Sequence, residues 1–257
     1  MNVLVAILTA LVVGLWLYFT PEGLLGKADA IGYAVCHRID LRSFHLGLRP
    51  LPLCARCTGM FLGALLSFAY YALRRPKARL FPPVGVMVVV IVLALTWVVD
   101  GLNSFLSMLP STMNIYSPHN TLRLITGSLA GIGLVTLIYP VFSEYAWKDG
   151  KSVRVLDSPL DLLFLLVLVG VVDLAVLSEN PILLYPLALL SSLGVLLLLT
   201  LAYTLIAIPV LRRTQEANTW RDLIIPLSAG LMLGLIQIGL IDLLRYTLTG
   251  TWGGFHL

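Results

Sequence analysis

Four donors of the kind that soft metals prefer lie within twenty-two residues, Cys36 and His37 at one end and Cys54-Ala55-Arg56-Cys57 at the other. They include every cysteine of the chain. Thiolate and imidazole are ligands that zinc takes, and a Cys-x2-Cys pair with a distant Cys-His can close around the ion as a tetrahedral Cys3His site. Zinc is therefore the expected cofactor. The Cys54/Cys57 pair admits a second chemistry, thiol–disulfide exchange, because a helix N-terminus, Arg56 and His37 would all favour the thiolate. Three is an odd number, which argues against a set of paired structural disulfides and leaves a metal site, or one bridge and a free thiol.

What must position these residues follows from composition. The chain has 257 residues, 59% of them hydrophobic and 12% charged, with a mean hydropathy of +0.95. A soluble domain carries about a quarter charged residues, so that class is excluded. The expectation is an all-α, polytopic membrane helix bundle, a single membrane domain over 1–257 with about seven transmembrane helices. Apolar runs of bilayer-spanning length cover 2–20, 53–73, 81–102, 121–142, 159–177, 181–211 and 223–247. The sixth is long enough to tilt or to bend at Pro186. Ala28-Asp29-Ala30 could pass for a signal-peptidase site, but the first run has no basic segment before it and lies far from that site, so it is read as a span. Residues 21–53 read as an irregular loop, closed by Pro50 and Pro52.

Orientation comes from Lys and Arg placement. Arg74, Arg75, Lys77 and Arg79 form a short basic loop, and the loops at 143–157 and 212–222, two crossings apart, carry three Lys or Arg each. The loops at 103–120 and 178–180 carry none. This alternation predicts a cell-membrane protein with a cytoplasmic N-terminus and the Cys/His site on the outer face. The 21–53 loop breaks the rule, with Lys27, Arg38, Arg42 and Arg49, so its charges are assigned to the site or a ligand rather than to topology.

With that topology, scattered polar groups converge on one side: the Cys/His donors, Asp100, Asn103, Asn120, Arg123, Asp173, Glu179, Asp242 and Arg245. Ionisable residues near spans usually face the bundle interior or a wet cavity. Asp100 and Arg123 read either as an interhelical ion pair or as catalytic or ligand-handling groups, with Asn103, Asn120, Arg42 and Arg56 as ligand-binding candidates. Asp242 and Arg245, three apart on one helix, read as a local pair. His45 and His119 read as loop histidines, and His256 as part of a frayed end. Gly59-x3-Gly63, Gly127-x3-Gly131 and Gly230-x3-Gly234 read as sites of close helix packing, the first two bringing the second and fourth spans together. Trp97, Trp147, Trp220 and Trp252 read as interfacial anchors.

The run Cys-His, then Arg42-Ser43-Phe44, then Pro52-Leu-Cys-Ala-Arg-Cys-Thr-Gly59 resembles the signature of DUF2085, a family of predicted prokaryotic membrane proteins. Trp97-Val-Val-Asp-Gly101 and Asn120-Thr-Leu-Arg-Leu-Ile-Thr-Gly127 resemble its later blocks. The resemblance covers roughly residues 30 to 135 and implies a membrane protein without an assigned activity.

Three functional readings follow. The first is a zinc site pinning the 21–53 loop onto the second span beside an Arg/Asp-lined pocket for an anionic small molecule or a membrane lipid headgroup. The second is a membrane thiol–disulfide oxidoreductase using Cys54/Cys57. The third is a transporter or channel, which fits poorly because no charged trail continues to the cytoplasmic side. No nucleic-acid motif is present, so nucleic acid is not expected as a partner.

Overall fold

In lipid a backbone must satisfy its hydrogen bonds within its own segment, so long apolar runs fold as helices. The computed structural model describes residues 2–109 and 115–254. They form eight α-helices: α1 (Asn2–Phe19), α2 (Gly23–Val35), α3 (Ala55–Arg74), α4 (Val84–Leu106), α5 (Asn120–Ala146), α6 (Pro159–Leu177), α7 (Pro181–Val210) and α8 (Ile224–Thr249). Four short strands lie in the connections, β1 (His45–Leu46), β2 (Arg49–Pro50), β3 (Ala78–Leu80) and β4 (Lys151–Arg154). The protein is an all-α bundle of the polytopic membrane class. The boundaries of α6 match the sequence reading, and α7 runs without interruption through Pro186.

Among the described residues, six helices are long and apolar enough to cross a membrane: α1, α4, α5, α6, α7 and α8. The expected seventh span, α3, is a helix of 20 residues, about 30 Å long at 1.5 Å per residue. Its lower apolarity has a physical reason. α3 packs against α5, α6 and α7 and buries Thr58, Ser67, Tyr70 and Tyr71, so much of its surface meets protein rather than lipid.

Contact between α3 and α5 organises the bundle. A Cβ added at Gly59 or Gly63 would run into the backbone of Leu124 or Ser128, and one at Gly127 or Gly131 into Arg56 or Met60. These are the two Gly-x3-Gly pairs expected to bring those spans together, and without side chains the backbones approach closely. The helices run parallel, since 59 faces 124 and Tyr71 hydrogen-bonds Thr136 at 2.8 Å further along. Gly230 sits likewise against Thr200 and Thr204, joining α8 to α7.

The helix ends sort into two faces. On one, β3 pairs with β4 in parallel, Lys77 binds Asp149 and the Asn218 carbonyl at 2.7 Å each, and Arg213 reaches Asn2 at 3.0 Å. The three basic loops and the N-terminus of α1 therefore share this face. It holds ten of the seventeen Lys and Arg residues, an asymmetry in the sense of the positive-inside rule. Trp147 is 1% exposed here, edge-on to Trp220 at 4.8 Å and under the Lys77 ammonium. It is a core residue of the loop cluster rather than the lipid anchor expected from sequence.

The opposite face carries the 36–54 segment, and here the sequence reading needs correction. Residues 23–35 of the supposed loop are helical. α2 buries Gly26, Ala28, Ala30, Ile31, Gly32 and Tyr33 against α7 and α8. Its start is tied to the end of α1 by Lys27, whose ammonium donates to the Thr20 carbonyl and hydroxyl, at 2.9 Å each, and to the Leu17 carbonyl. A cation capping a helix C-terminus in this way satisfies carbonyls that have no intrahelical partner.

Candidate metal centre

Three local structures bring the donors together. Cys36 is the residue at which α2 ends, and Cys54 occupies the N-cap of α3, which places Cys57 in its first turn. Between them the β1/β2 hairpin folds back through Gly47, whose φ of +66° suits a residue without Cβ. Phe44 and Leu51 from this hairpin sink into an apolar cluster with Ala55, Leu62, Leu124 and Leu184. The final approach depends on Gly32, where a Cβ would collide with the Pro52 carbonyl.

The sulfurs of Cys36 and Cys54 and a ring nitrogen of His37 lie within 4.8 Å of one another. Cys57 is not one of the three residues in that set, but it lies close enough to act on the Cys36 thiol. A tetrahedral zinc ion with bonds of 2.0–2.3 Å holds its ligands roughly 3.5–3.8 Å apart, so the set is about 1 Å wider than a closed site. The Cys36 sulfur also accepts N–H bonds from Cys54 at 3.3 Å and Arg38 at 3.4 Å. The second of these requires the turn in which Arg38 adopts a φ of +53°.

Electrostatics divides the thiols. The S–H groups of Cys54 and Cys57 hold Cys36 well below the usual thiol range, outweighing burial. Cys54, donating to Cys36 and buried, is pushed up to about 12. Burial lowers His37 from 6.5, the Cys36 thiolate opposes this, and Arg42, Arg56 and Arg123 reinforce it. The imidazole is thereby kept neutral, the form that binds metal. Its Nδ1 accepts the Ile39 N–H at 3.0 Å, so that lone pair is already in use. Nδ1 must give up this bond to bind a metal, whereas binding through Nε2 needs the tautomer that Ile39 disfavours. His37 is for this reason the weakest of the four donors.

Arg245 supplies a support that sequence reasoning missed. Instead of pairing with Asp242, its guanidinium donates to the carbonyls of Tyr33 and Cys36 at 2.6 Å and of His37 at 3.3 Å, lying 4.1 Å from the Tyr33 ring centre. Arg38 is held by Asp29 at 2.8 Å and by the Trp252 carbonyl at 2.9 Å. The only signal in sequence was an arginine near a span end with no basic-loop role.

The pocket residues do gather beside the donors, in a different arrangement from the expected one. Asp100, 1% exposed, takes Arg56 as its partner, not Arg123: Arg56 Nε donates at 3.0 Å and its Nη2 also binds the carboxylate. Tyr116 donates to the other oxygen at 2.9 Å. Asn103 accepts the Ile115 N–H at 2.7 Å and donates to the Tyr116 carbonyl at 2.9 Å. Asn120 bridges the Leu41 and Ser43 carbonyls, at 3.3 and 3.4 Å, to Arg123 at 2.8 Å. Asp100, Asn103 and Asn120 thus hold loops. Arg42, weakly tied to the Ser104 carbonyl at 3.5 Å, and Arg123, whose buried Nε has no hydrogen-bond partner, are the less committed charges. Three arginines face one carboxylate here.

Other candidates lie apart. Asp173 accepts from Ser128 at 2.7 Å and Glu179 is exposed. His45 pairs with Asp40 at 3.0 Å, His119 caps α5 through the Leu122 N–H at 3.4 Å, and His256 lies outside the described residues.

Comparison with known proteins centres on the same segment. Residues 36–137 match the family described as predicted membrane protein, DUF2085. The chain is 35% identical over 103 residues to an uncharacterized protein of Methanothermobacter thermautotrophicus, covering 40% of this chain and 83% of the relative. It is 28% identical over 122 residues to an uncharacterized protein of Methanocaldococcus jannaschii, covering 48% and 72%. No solved structure matches the chain. The matched region starts at Cys36 and contains all four donors and the three arginines; Arg245 lies beyond it.

Proposed function

This chain belongs to the DUF2085 family of predicted membrane proteins, and from the site rather than from any relative we propose that it is a zinc-pinned membrane receptor for an anionic group. The observation that carries the reading is the convergence of the Cys36 and Cys54 thiols and the His37 imidazole, with Cys57 beside them, on Arg42, Arg56 and Arg123, against the carboxylate of Asp100. Zinc held by Cys36, Cys54 and Cys57 fastens the end of α2 to the start of α3. His37 is the exchangeable fourth ligand, whose position an incoming anion or water can take. Arg42 and Arg123 supply the charge and the planar donors that recognise a phosphate or a lipid headgroup. The site faces the outer side of the cell membrane, the basic loops being cytoplasmic.

Elemental analysis and thiol titration of one purified sample test the metal half, with about one zinc per chain expected. A metal-free protein with a Cys54–Cys57 disulfide would replace this reading with a membrane thiol–disulfide oxidoreductase. Thermal shift by inorganic phosphate and by phospholipid headgroups tests the anion half. Equal shifts for the wild type and Arg123→Ala would remove it.

A further inference from the structure

Outside the metal-donor set, the C-terminal halves of α1 and α8, on the metal-site face, line a cleft of about 700 Å³, within the range of small-molecule sites. Its floor is apolar, with Val12, Leu15, Leu235 and Ile236, and its mouth aromatic, with Tyr246 and Trp252. Two buried polar groups without hydrogen-bond partners break this surface. Asp242 is 4% exposed, lines the cleft, and neither of its carboxylate oxygens has a hydrogen-bond partner. The indole N–H of Trp16, on the facing helix, is likewise buried without an acceptor. A buried carboxylate needs donors, and an ionised one accepts up to four bonds.

The positive groups that act on Asp242 are Arg245 and Arg38. Both direct hydrogen bonds elsewhere, Arg245 to the carbonyls around Cys36 and Arg38 to Asp29 and Trp252. They compensate charge without filling the carboxylate's hydrogen-bonding capacity. A further cation beside Asp242 would add to the two guanidiniums that already act on it, so the donor we assign to it is uncharged.

We propose that the α1/α8 cleft binds a long-chain lipid alcohol, its hydroxyl donating to Asp242 and its tail lying along the apolar floor between the two helices. The site is independent of the zinc reading. A membrane-borne ligand reaches it from the bilayer, because α1 is largely exposed on its outer side, and the aromatic mouth sits where amphipathic rings favour the interface.

The test uses the full chain in phosphatidylcholine nanodiscs with a diazirine-bearing hexadecanol, mapping photolabelled peptides by mass spectrometry. Labelling is expected on α1 and α8, and unlabelled hexadecanol should compete at least tenfold better than hexadecylamine or hexadecanoate. Two variants separate binding from folding. Gly239 lines the cleft, and a Cβ there meets nothing within 4 Å, so Gly239→Leu fills the space without a backbone clash and should abolish labelling. Asp242→Leu removes an unpartnered buried carboxylate, keeps its branched heavy-atom shape, and should erase the preference for the alcohol while tail binding persists. Labelling spread over all lipid-facing helices would overturn the proposal. So would better competition by the amine, indifference to Gly239→Leu, or cross-linking of α1 to α8 of a second copy in place of lipid.

Discussion

If the proposed zinc reading holds, replacing Gly32 by alanine should dismantle the candidate metal centre without touching any of its donors. In the wild type the C-terminal turn of α2 rests on the Pro52 carbonyl, two residues before Cys54. An alanine Cβ would lie about 1 Å nearer that oxygen than the 3.0 Å that real Cβ atoms respect. Both partners are backbone, so no side-chain rotation relieves the clash, and the end of α2 must move from the start of α3 by about that distance. The donor set, within 4.8 Å, must already contract by about 1 Å to close on zinc, whose ~2.3 Å sulfur bonds tolerate only about 0.2 Å, so a further displacement of that size would keep Cys36 from reaching the ion. The expected result is substoichiometric zinc and a lower melting temperature, metal-binding energy being folding energy at such a site. Gly170→Ala is the control. Its Cβ would meet nothing within 4 Å, and in mid-helix the change should be neutral or stabilise by about 0.5–1 kcal/mol. The assay is elemental zinc per chain and thermal unfolding in one detergent, with thiol reactivity as a readout that does not presuppose metal. If Gly32→Ala and Gly170→Ala behave alike in all three, the argument from close approach fails.

Cys57→Ser should lose zinc and stability together, whereas His37→Ala should retain most of the metal, because His37 Nδ1 has a single lone pair and it is already engaged, while a thiolate sulfur keeps further lone pairs for the metal; equal losses would refute that ranking. Zinc affinity should fall as pH drops, about tenfold per unit for each proton released on binding: Cys54, pushed up to about 12, is a thiol in the metal-free site and must be deprotonated to bind. Competition with a chromophoric chelator between pH 6 and 8, as a chosen range, would read the slope. Asp100→Asn should destabilise by about 3 kcal/mol, since it leaves the Arg56 charge buried without its partner, while zinc content stays unchanged; an unaltered melting temperature would count against it. Arg245→Ala removes donors from three carbonyls and should lower both melting temperature and zinc content, and full metal retention would show that Arg245 does not support the centre.

Sequence by itself determined the class and most of the spans, because a bilayer demands apolar runs of fixed length whose hydrogen bonds close locally. It also determined which ends share a face, since Lys and Arg placement answers to the membrane rather than to distant contacts. The donors Cys36, His37, Cys54 and Cys57 were legible because so few side chains bind metal, and the packing of α3 on α5 because Gly-x3-Gly has few other uses in a span. α2 was not legible: thirteen residues with glycines at 26 and 32 carry no strong helical pattern, and only burial against α7 and α8 makes them helical. Partner choice was decided by tertiary structure alone. Asp100 lies nearer in sequence to Arg123 than to Arg56, but α3 carries Arg56 to the Asp100 turn of α4, while Asn120 draws Arg123 away. Arg245 and Asp242, three residues apart, go to different places, one to the carbonyls at Cys36 and the other to the cleft beside α1. Charge and spacing say that such groups need partners, and the directions in which a packed helix points them decide which partners they meet.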